Sequence, residues 1–416
     1  MRTGGEHRRM SKRPLSLAFK RLAWSNLAAQ FAEQISLAAI PLVAVASLGA
    51  GPGETGFLLT AQTLPFLLFA LPAGLLADRY SRRKLLVFGE AARAASLACV
   101  VLFLQLQVLE LTPLALLAFV GACGTVLYSV VAPALVPSLV VPAQLGLANS
   151  RLELARTVAF ASGPALAGAL IGFVEPSLAF WLATLLSLSA CALLARLPQA
   201  PACERRAASA MASLREGIRF VFRHEMLRPI FVTQLVFNVA FYMIQAVFVP
   251  YAVHRLGLAA PQVGLVLACY GVGLVVGAAL APRLADHFAF GSLVVVGPVA
   301  GVCGALLLLL TVWQPTGFFA GLAFFLFGAG PILWVISTAT LRQTVTPTPL
   351  LGRVSAVNTL AYGARPVGAT IGGVIGAALG AEVCLAVAVA GFLLQLVVIA
   401  RSPVVRLTRQ PCDQRA

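Results

Sequence analysis

Gly74-Leu75-Leu76-Ala77-Asp78-Arg79-Tyr80-Ser81-Arg82-Arg83-Lys84-Leu85-Leu86 packs four cations and one carboxylate into seven residues, 78–84. On either side the charge thins to Glu54, Glu90 and Arg93. Residues 54–77 and 84–106 are long apolar runs, and about 20 mostly apolar residues are enough to cross a bilayer as a helix. The cluster therefore reads as a short charged loop between two membrane spans. The whole chain has the same texture. Of 416 residues, 60% are hydrophobic and 11% charged, whereas soluble globular chains run at about 45–50% apolar and about 25% charged. Intrinsic disorder is excluded, because too much apolar surface would stay wet, and the composition does not suit an ordinary soluble enzyme.

Ten further segments qualify, and the predicted spans are 21–47, 54–77, 84–106, 111–137, 150–174, 177–196, 229–253, 261–284, 290–312, 316–340, 353–378 and 381–401. Such continuous helical hydropathy excludes an outer-membrane barrel, whose strands are shorter and alternate. The formal charge of +16 does not point to nucleic acid, because the cations sit in clusters between spans. Twenty-seven of the 30 Lys and Arg fall on the side that holds both termini. Arg255 alone lies on the other side, and Arg93 and Arg365 lie within spans. The positive-inside rule then puts both termini in the cytoplasm. The basic stretch Met1–Arg21 has no apolar core with a cleavage site and reads as a cytoplasmic tail.

The chain divides in two. Residues 1–20 are a basic tail, 21–196 a six-helix bundle, 197–228 a cytoplasmic linker, 229–401 a second six-helix bundle and 402–416 a basic C-terminal tail. In the linker, Leu214, Ile218, Val221 and Phe222 recur at helical spacing, with Arg215, Arg219 and Arg223 on another face. This predicts an amphipathic helix on the inner membrane surface, tethering the halves. The halves themselves repeat. Arg151 and Pro164 are spaced as Arg353 and Pro366 are, Leu76-Ala77-Asp78 matches Leu284-Ala285-Asp286, and Pro41 matches Pro250. The fold expected is an all-α polytopic membrane protein of twelve transmembrane helices, in two pseudo-symmetric six-helix bundles around a central cavity.

The opening stretch resembles the signature loop of the Major Facilitator Superfamily, a Gly-x-Leu-Ala-Asp-Arg pattern followed by basic residues. Ser81 stands where that pattern usually has Gly. Asn149-Ser150-Arg151-Leu152-Glu153-Leu154-Ala155-Arg156 leading into Gly163-Pro164, Gly352-Arg353-Val354-Ser355-Ala356-Val357-Asn358 leading into Arg365-Pro366, and Leu214–Phe220 resemble the branch that includes the enterobactin exporter and macrolide efflux proteins. The resemblance covers about Leu22 to Arg401. It implies an exporter in a bacterial inner membrane, driven by the proton gradient and working as a monomer. It also implies a conformational latch at Gly74, Asp78, Arg79, Arg82 and Arg83. Gly163, Pro164 and Gly168 would act at the interface between halves, and spans 1, 4, 7 and 10 would line the cavity.

Polar groups inside apolar spans are costly and mark pathways. In span 1, Asn26, Gln30 and Glu33 share one helical face. Glu33 lies twelve residues beyond Arg21, roughly 18 Å into a core about 30 Å thick. A carboxylate at that depth reads as a proton carrier or cation-binding group, or else as a structural partner of a neighbouring helix. Span 7 carries a matching stripe of Gln234, Asn238, Tyr242 and Gln245. The resemblance adds Thr125 and Ser129 from span 4 and Trp334 and Ser337 from span 10. Trp334 reads equally as a stacking surface or as a lipid-facing aromatic. In span 11 Arg365 needs a partner, with Glu33, Glu90 or helix carbonyls as candidates. It would either tune the proton carboxylate and bind an anion, or hold helices together. Glu90 and Arg93, three apart, are expected to satisfy each other.

No nucleotide-binding loop and no zinc-binding His pair occurs, and the eight cysteines form no CxxC pair. No bound cofactor or metal is expected, and the partners are a small solute, protons and lipid rather than nucleic acid. An amphipathic organic cargo such as a drug, macrolide or siderophore suits the mix of neutral polar, aromatic and acidic groups. The rival readings are an importer or symporter of the same fold and a non-transporting receptor or assembly subunit. An intramembrane enzyme ranks last, because no His lies at midplane.

Overall fold

The computed structural model describes residues 15–141, 144–198, 210–347 and 350–408. Six helices form the first half: α1 Leu17–Leu48, α2 Pro52–Arg79, α3 Arg82–Gln105, α4 Leu111–Leu139, α5 Leu145–Phe173 and α6 Pro176–Ala195. The linker helix is α7, Ala210–Arg223. The second half comprises α8 Leu227–His254, α9 Ala260–His287, α10 Phe290–Leu310, α11 Gly317–Val345, α12 Leu351–Leu360, α13 Ala364–Leu379 and α14 Ala381–Ala400. In lipid every backbone polar group must find its partner within the protein, which leaves helices as the form these apolar runs can take. Eleven of the helices are long and apolar enough to cross a bilayer. The protein is an all-helical, multi-pass membrane protein.

The eleventh span differs from the continuous 353–378 expected. It is broken into α12 and α13 by a 3-10 turn at Ala361–Gly363. Pro366 favours the break without dictating it alone. It has no N–H to donate to the Tyr362 carbonyl and its ring crowds that oxygen, so the chain tightens one turn earlier. The repeat-related Pro164 sits inside an unbroken α5.

Local signals set the other ends. Ser16 caps α1 by accepting from the Phe19 N–H at 3.1 Å. Gly49, at φ +66°, closes α1, and the Ala50 N–H reaches back to the Ala44 carbonyl at 3.0 Å. At the start of α2 the Gly51 N–H donates to Glu54 (3.0 Å), and at the start of α9 the Ala259 N–H donates to Gln262 (2.9 Å). These equivalent caps at equivalent helices express the internal repeat. Between α2 and α3, Ser81 has φ −57° and ψ 116°. That backbone is open to any residue, so serine replaces glycine there without strain.

The halves meet along α2 against α13 and α5 against α9, and α2 also packs on α8. Most of the tight crossings lie at the end away from the termini, with Gly271 against Ala161 and Gly363 against Leu67 about midway. A Cβ added at Gly56 would strike the Gly373 backbone, one at Gly168 would strike Ala260 and Gly264, and one at Gly172 would strike Pro261. At the terminal end the picture reverses. A Cβ on Gly74, Gly146 or Gly352 would meet nothing within 4 Å. Leu67, Leu68 and Phe69, near the middle of α2, are exposed in succession, and at 100° per residue they span about 200° of the helix. The molecule is thus sealed at one end and open at the end that carries both termini.

The linker helix, expected on the inner membrane surface as a tether, docks in part on the second half. Val221 and Leu227 pack with Val354 and Val357 of α12, and Leu214 and Phe220 join them. Glu216 pairs with Arg353, and a Cβ on Gly217 would strike the Arg353 backbone. Ile218 and Phe222 stay outside, 36% and 46% exposed. The apolar stripe is split between a protein contact and an outward flank beside Arg215, Arg219 and Arg223. Arg205 and Arg206 of the linker lie outside the described residues, as do the first fourteen residues, Cys203 and Cys412.

Candidate functional site: a central cavity between the halves

A cavity of about 350 Å³ lies between the halves, walled by α1, α2, α3, α4, α5, α8, α9, α10, α11, α14 and the chain around the α12–α13 break. That volume falls within the range for drug-sized ligands, about 300–1,000 Å³. Of the residues expected to bind cargo, Glu33, Thr125, Gln234, Asn238, Tyr242, Gln245 and Trp334 are on its wall, as is Arg365. Asn26, Gln30, Ser129 and Ser337 are not. Asn26 instead donates to the Leu152 carbonyl of α5 at 3.0 Å, and Ser129 donates to the Val126 carbonyl of its own helix at 2.9 Å. Trp334 is 8% exposed, which removes the lipid-facing alternative.

The charges are arranged in two ways. Glu90 and Arg93 form an ion pair across 3.1 Å, both buried, although Glu90 Oε1 and Arg93 Nε have no hydrogen-bond partner. Arg93 also donates to the Ala29 carbonyl at 3.0 Å and to the Thr125 hydroxyl at 2.8 Å, stitching α3 to α1 and α4. Glu33 lies on the cavity wall with Arg93, Arg156 and Arg365 within electrostatic reach. Among the described residues its carboxylate makes no hydrogen bond and no ion pair.

Arg365 is not ion-paired with Glu33 or Glu90, as had been considered from the sequence. Its guanidinium lies 4.4 Å from the Tyr362 ring centroid, 5.3 Å from that of Tyr242 and 5.4 Å from that of Phe66. Its Nε donates to the Asn238 side-chain oxygen Oδ1 at 3.3 Å. An aromatic cage from α2, α8 and the α12–α13 break holds the cation, each ring worth about 0.5–2 kcal/mol according to its desolvation.

Sequence reasoning missed Arg93 and Arg156 as wall residues, together with Phe66, Tyr270, Thr233 and Gln395. The charge count gives Arg156 to the terminal side, although it falls within the expected span 150–174. With α5 starting at Leu145, it lies eleven residues into the helix, about 16 Å. There it pairs with Glu153 one turn back and stacks 5.5 Å from the Phe160 ring.

The signature-loop residues lie at the open end. Arg82 donates to the Ala134 carbonyl of α4 at 2.7 Å, within its own half. Gly74, expected to allow close approach of a neighbour, has none in this conformation. The Asp78 side chain lies outside the described residues, and Arg79 ends α2 while Arg83 sits in the first turn of α3. Of the helix 5 motif, Gly168 and the Pro164 carbonyl face Gly264 of α9 across the halves, while Gly163 packs on Gln34 of α1 within its own half.

Two helical membrane-spanning halves around a polar and aromatic cavity, sealed at one end and open at the other, define a transporter of solutes rather than an enzyme. The comparison with known proteins makes the class specific. Residues 22–369 match the Major Facilitator Superfamily, and the chain belongs to it. It is 27% identical over 372 residues to the multidrug efflux pump Tap of Mycobacterium tuberculosis, covering 85% of each chain. It is 28% identical over 255 residues to the MFS-type transporter y4rN of Sinorhizobium fredii, covering 58% of this chain and 60% of that one. Among solved structures, the nucleoside transporter NupG (D323A mutant) superposes with a TM-score of 0.76 at 10% identity, covering 92% of this chain and 99% of that one. A bacterial homologue of the iron transporter ferroportin in an inward-facing state superposes at 0.68 and 17% identity, covering 92% and 98%.

Proposed function

We propose that the protein is a proton-coupled exporter of an amphipathic organic solute, such as a drug, macrolide or siderophore. It would work by alternating access in a bacterial cytoplasmic membrane, with both termini in the cytoplasm. The observation that carries this reading is the contrast between the two embedded carboxylates: Glu90 is neutralised by Arg93, whereas Glu33 stands on the cavity wall without hydrogen bond or ion pair. A group so placed can exchange a proton with the solution that fills the cavity. The charge ledger gives the coupling its sign. With Glu33 ionised, its charge offsets the caged Arg365, and a cationic or polar solute is retained. With Glu33 protonated, the wall turns net positive and a cation is released. Open to the cytoplasm, Glu33 gives up its proton as solute enters; open to the outside, it takes a proton as solute leaves. The 27% identity to a multidrug efflux pump over most of both chains supports export.

The test uses everted vesicles made acidic inside, to which candidate solutes are added one at a time while lumenal proton release is recorded. Wild type should release protons on addition of a transported solute, and Glu33→Gln should abolish that release. Release that persists in Glu33→Gln would remove Glu33 from the proton path. No release with a broad panel, from correctly folded protein, would overturn export in favour of import, another coupling ion or a non-transporting role.

A further inference from the structure

The cavity wall is chemically one-sided. Its charged residues come from α1, α3, α5 and the start of α13. The residues contributed by α8, α10, α11 and α14 are all neutral. On that neutral side three polar atoms are buried without a protein hydrogen-bond partner: Thr233 Oγ1, Trp334 Nε1 and Gln395 Oε1. The residues are 2%, 8% and 1% exposed, and all three line the cavity. Buried polar groups in native proteins are nearly always paired, and leaving one unpaired is costly. Three together on one wall indicate a partner that the chain itself does not supply.

The helices that carry them meet in one place. Ile230 of α8, Trp334 of α11 and Ile399 of α14 form a single apolar cluster. Thr233 and Gln395 lie about one turn further into the membrane than Ile230 and Ile399 on the same helices. The floor is the glycine face of α10, where a Cβ on Gly297 would strike Trp334 and one on Gly301 would lie 3.0 Å from the Gln395 amide nitrogen. The absence of side chains at these two positions lets both polar side chains settle against the helix.

We infer that Thr233, Trp334 and Gln395 form a second subsite within the cavity, which binds a neutral hydroxyl group of the cargo. The donor and acceptor pattern selects the ligand. The indole N–H only donates, the Gln395 carbonyl oxygen only accepts, and the Thr233 hydroxyl does either. A hydroxyl that accepts from Trp334 and donates to Gln395 satisfies both, whereas a carboxylate meets the Gln395 oxygen and an ammonium meets the indole N–H. The inference rests on the transport reading only in taking the occupant to be part of the cargo. It makes the cargo two-ended, with a polar or charged end beside Glu33 and Arg365 and a hydroxylated end against α10.

Trp334 is its own reporter. With the exposed Trp24, Trp181 and Trp313 replaced by Phe, the purified protein is titrated with cyclohexanol and with methylcyclohexane, two non-absorbing probes of similar shape, and Trp334 emission is recorded. Cyclohexanol is expected to give a saturable red shift, with methylcyclohexane about tenfold weaker. The isosteric Thr233→Val and the apolar Gln395→Leu should each bring the two probes together. Equal or non-saturating responses to both probes would overturn the subsite. So would an emission already red-shifted, enhanced by D2O and indifferent to either probe, which is the signature of a site held by water alone. Proton release is a separate readout: failure of the Glu33 experiment leaves this binding result standing, and failure here leaves that coupling standing.

Discussion

Glu90 and Arg93 are one turn apart on α3 and nearly inaccessible to solvent, and their worth lies in being together. A buried pair contributes little over an apolar replacement, but removing one partner strands the other charge, at about 3–5 kcal/mol. Arg93→Met should therefore sharply lower the thermal unfolding midpoint of the detergent-solubilised protein, more so because the bonds to Ala29 and Thr125 go with it. Arg93→Met/Glu90→Met should recover most of the loss, and Glu33→Gln should leave the midpoint near wild type, since Glu33 has no bond to lose. A double variant no more stable than Arg93→Met would sink this account. The pair was legible in the sequence because its i, i+3 spacing is a local fact. The cage of Arg365 was not. Phe66, Tyr242 and Tyr362 are far apart in the chain, and nothing in their spacing shows that three rings and an amide take the place of a carboxylate. Arg156 was legible only with the true start of α5, because five residues of helix separate a loop cation from one on the cavity wall.

At the scale of elements, the spans could be read because the bilayer demands long apolar runs, and the break in α12–α13 could not because hydropathy is blind to a 3-10 turn. The linker helix stands between these cases. Its amphipathic pattern gave the helix, but half of its apolar stripe docks on α12 rather than on lipid, a choice set by the fit of Gly217 against Arg353. His224 follows that helix and accepts a hydrogen bond at Nδ1 from the Met226 N–H at 3.2 Å, which requires that nitrogen to be unprotonated. Its ring lies 5.6 Å from that of Phe220. Burial pushes the imidazole below its ordinary 6.5, against the opposing pull of the adjacent Glu225. A histidine whose folded value is depressed prefers the docked state when neutral, so its contribution is fully present above 6.5 and is lost as pH falls from there toward the lowered value. Amide exchange across residues 214–224, corrected for the intrinsic pH dependence, should quicken as pH drops below 6.5, and His224→Gln should remove that step. Protection that is flat with pH in the wild type would show that the linker docks without regard to this ring.

For the whole molecule, the decisive asymmetry is between glycines that touch across the halves and glycines that touch nothing. Gly56 against Gly373 and Gly168 against Gly264 let backbone meet backbone at the sealed end, the close approach by which helices associate where lipid offers no hydrophobic drive. A side chain at either crossing must push the halves apart there, and because the cavity lies just beneath, parting them opens it to the other face. Gly56→Val and Gly168→Val should therefore bias the protein toward the opposite-facing conformer. Gln245→Cys, on the cavity wall, reads this out through labelling by an impermeant maleimide applied from the face away from the termini. Labelling should be slow in the Gln245→Cys background, severalfold faster with Gly56→Val or Gly168→Val added, and unchanged with Gly74→Val, whose new side chain would meet open space in the present conformer. The Gly74 variant carries a second expectation. If the terminal ends of α2 and its neighbours come together when the far end opens, the added bulk at Gly74 disfavours that closed arrangement, and combining it with Gly56→Val should slow the labelling again. Labelling in Gly56→Val no faster than in Gly74→Val would mean that these crossings do not hold the far end shut, and that the seal must be sought instead in the hydrogen bonds that join the halves, from Thr55 to the Ala246 carbonyl and between Thr60 and Thr370.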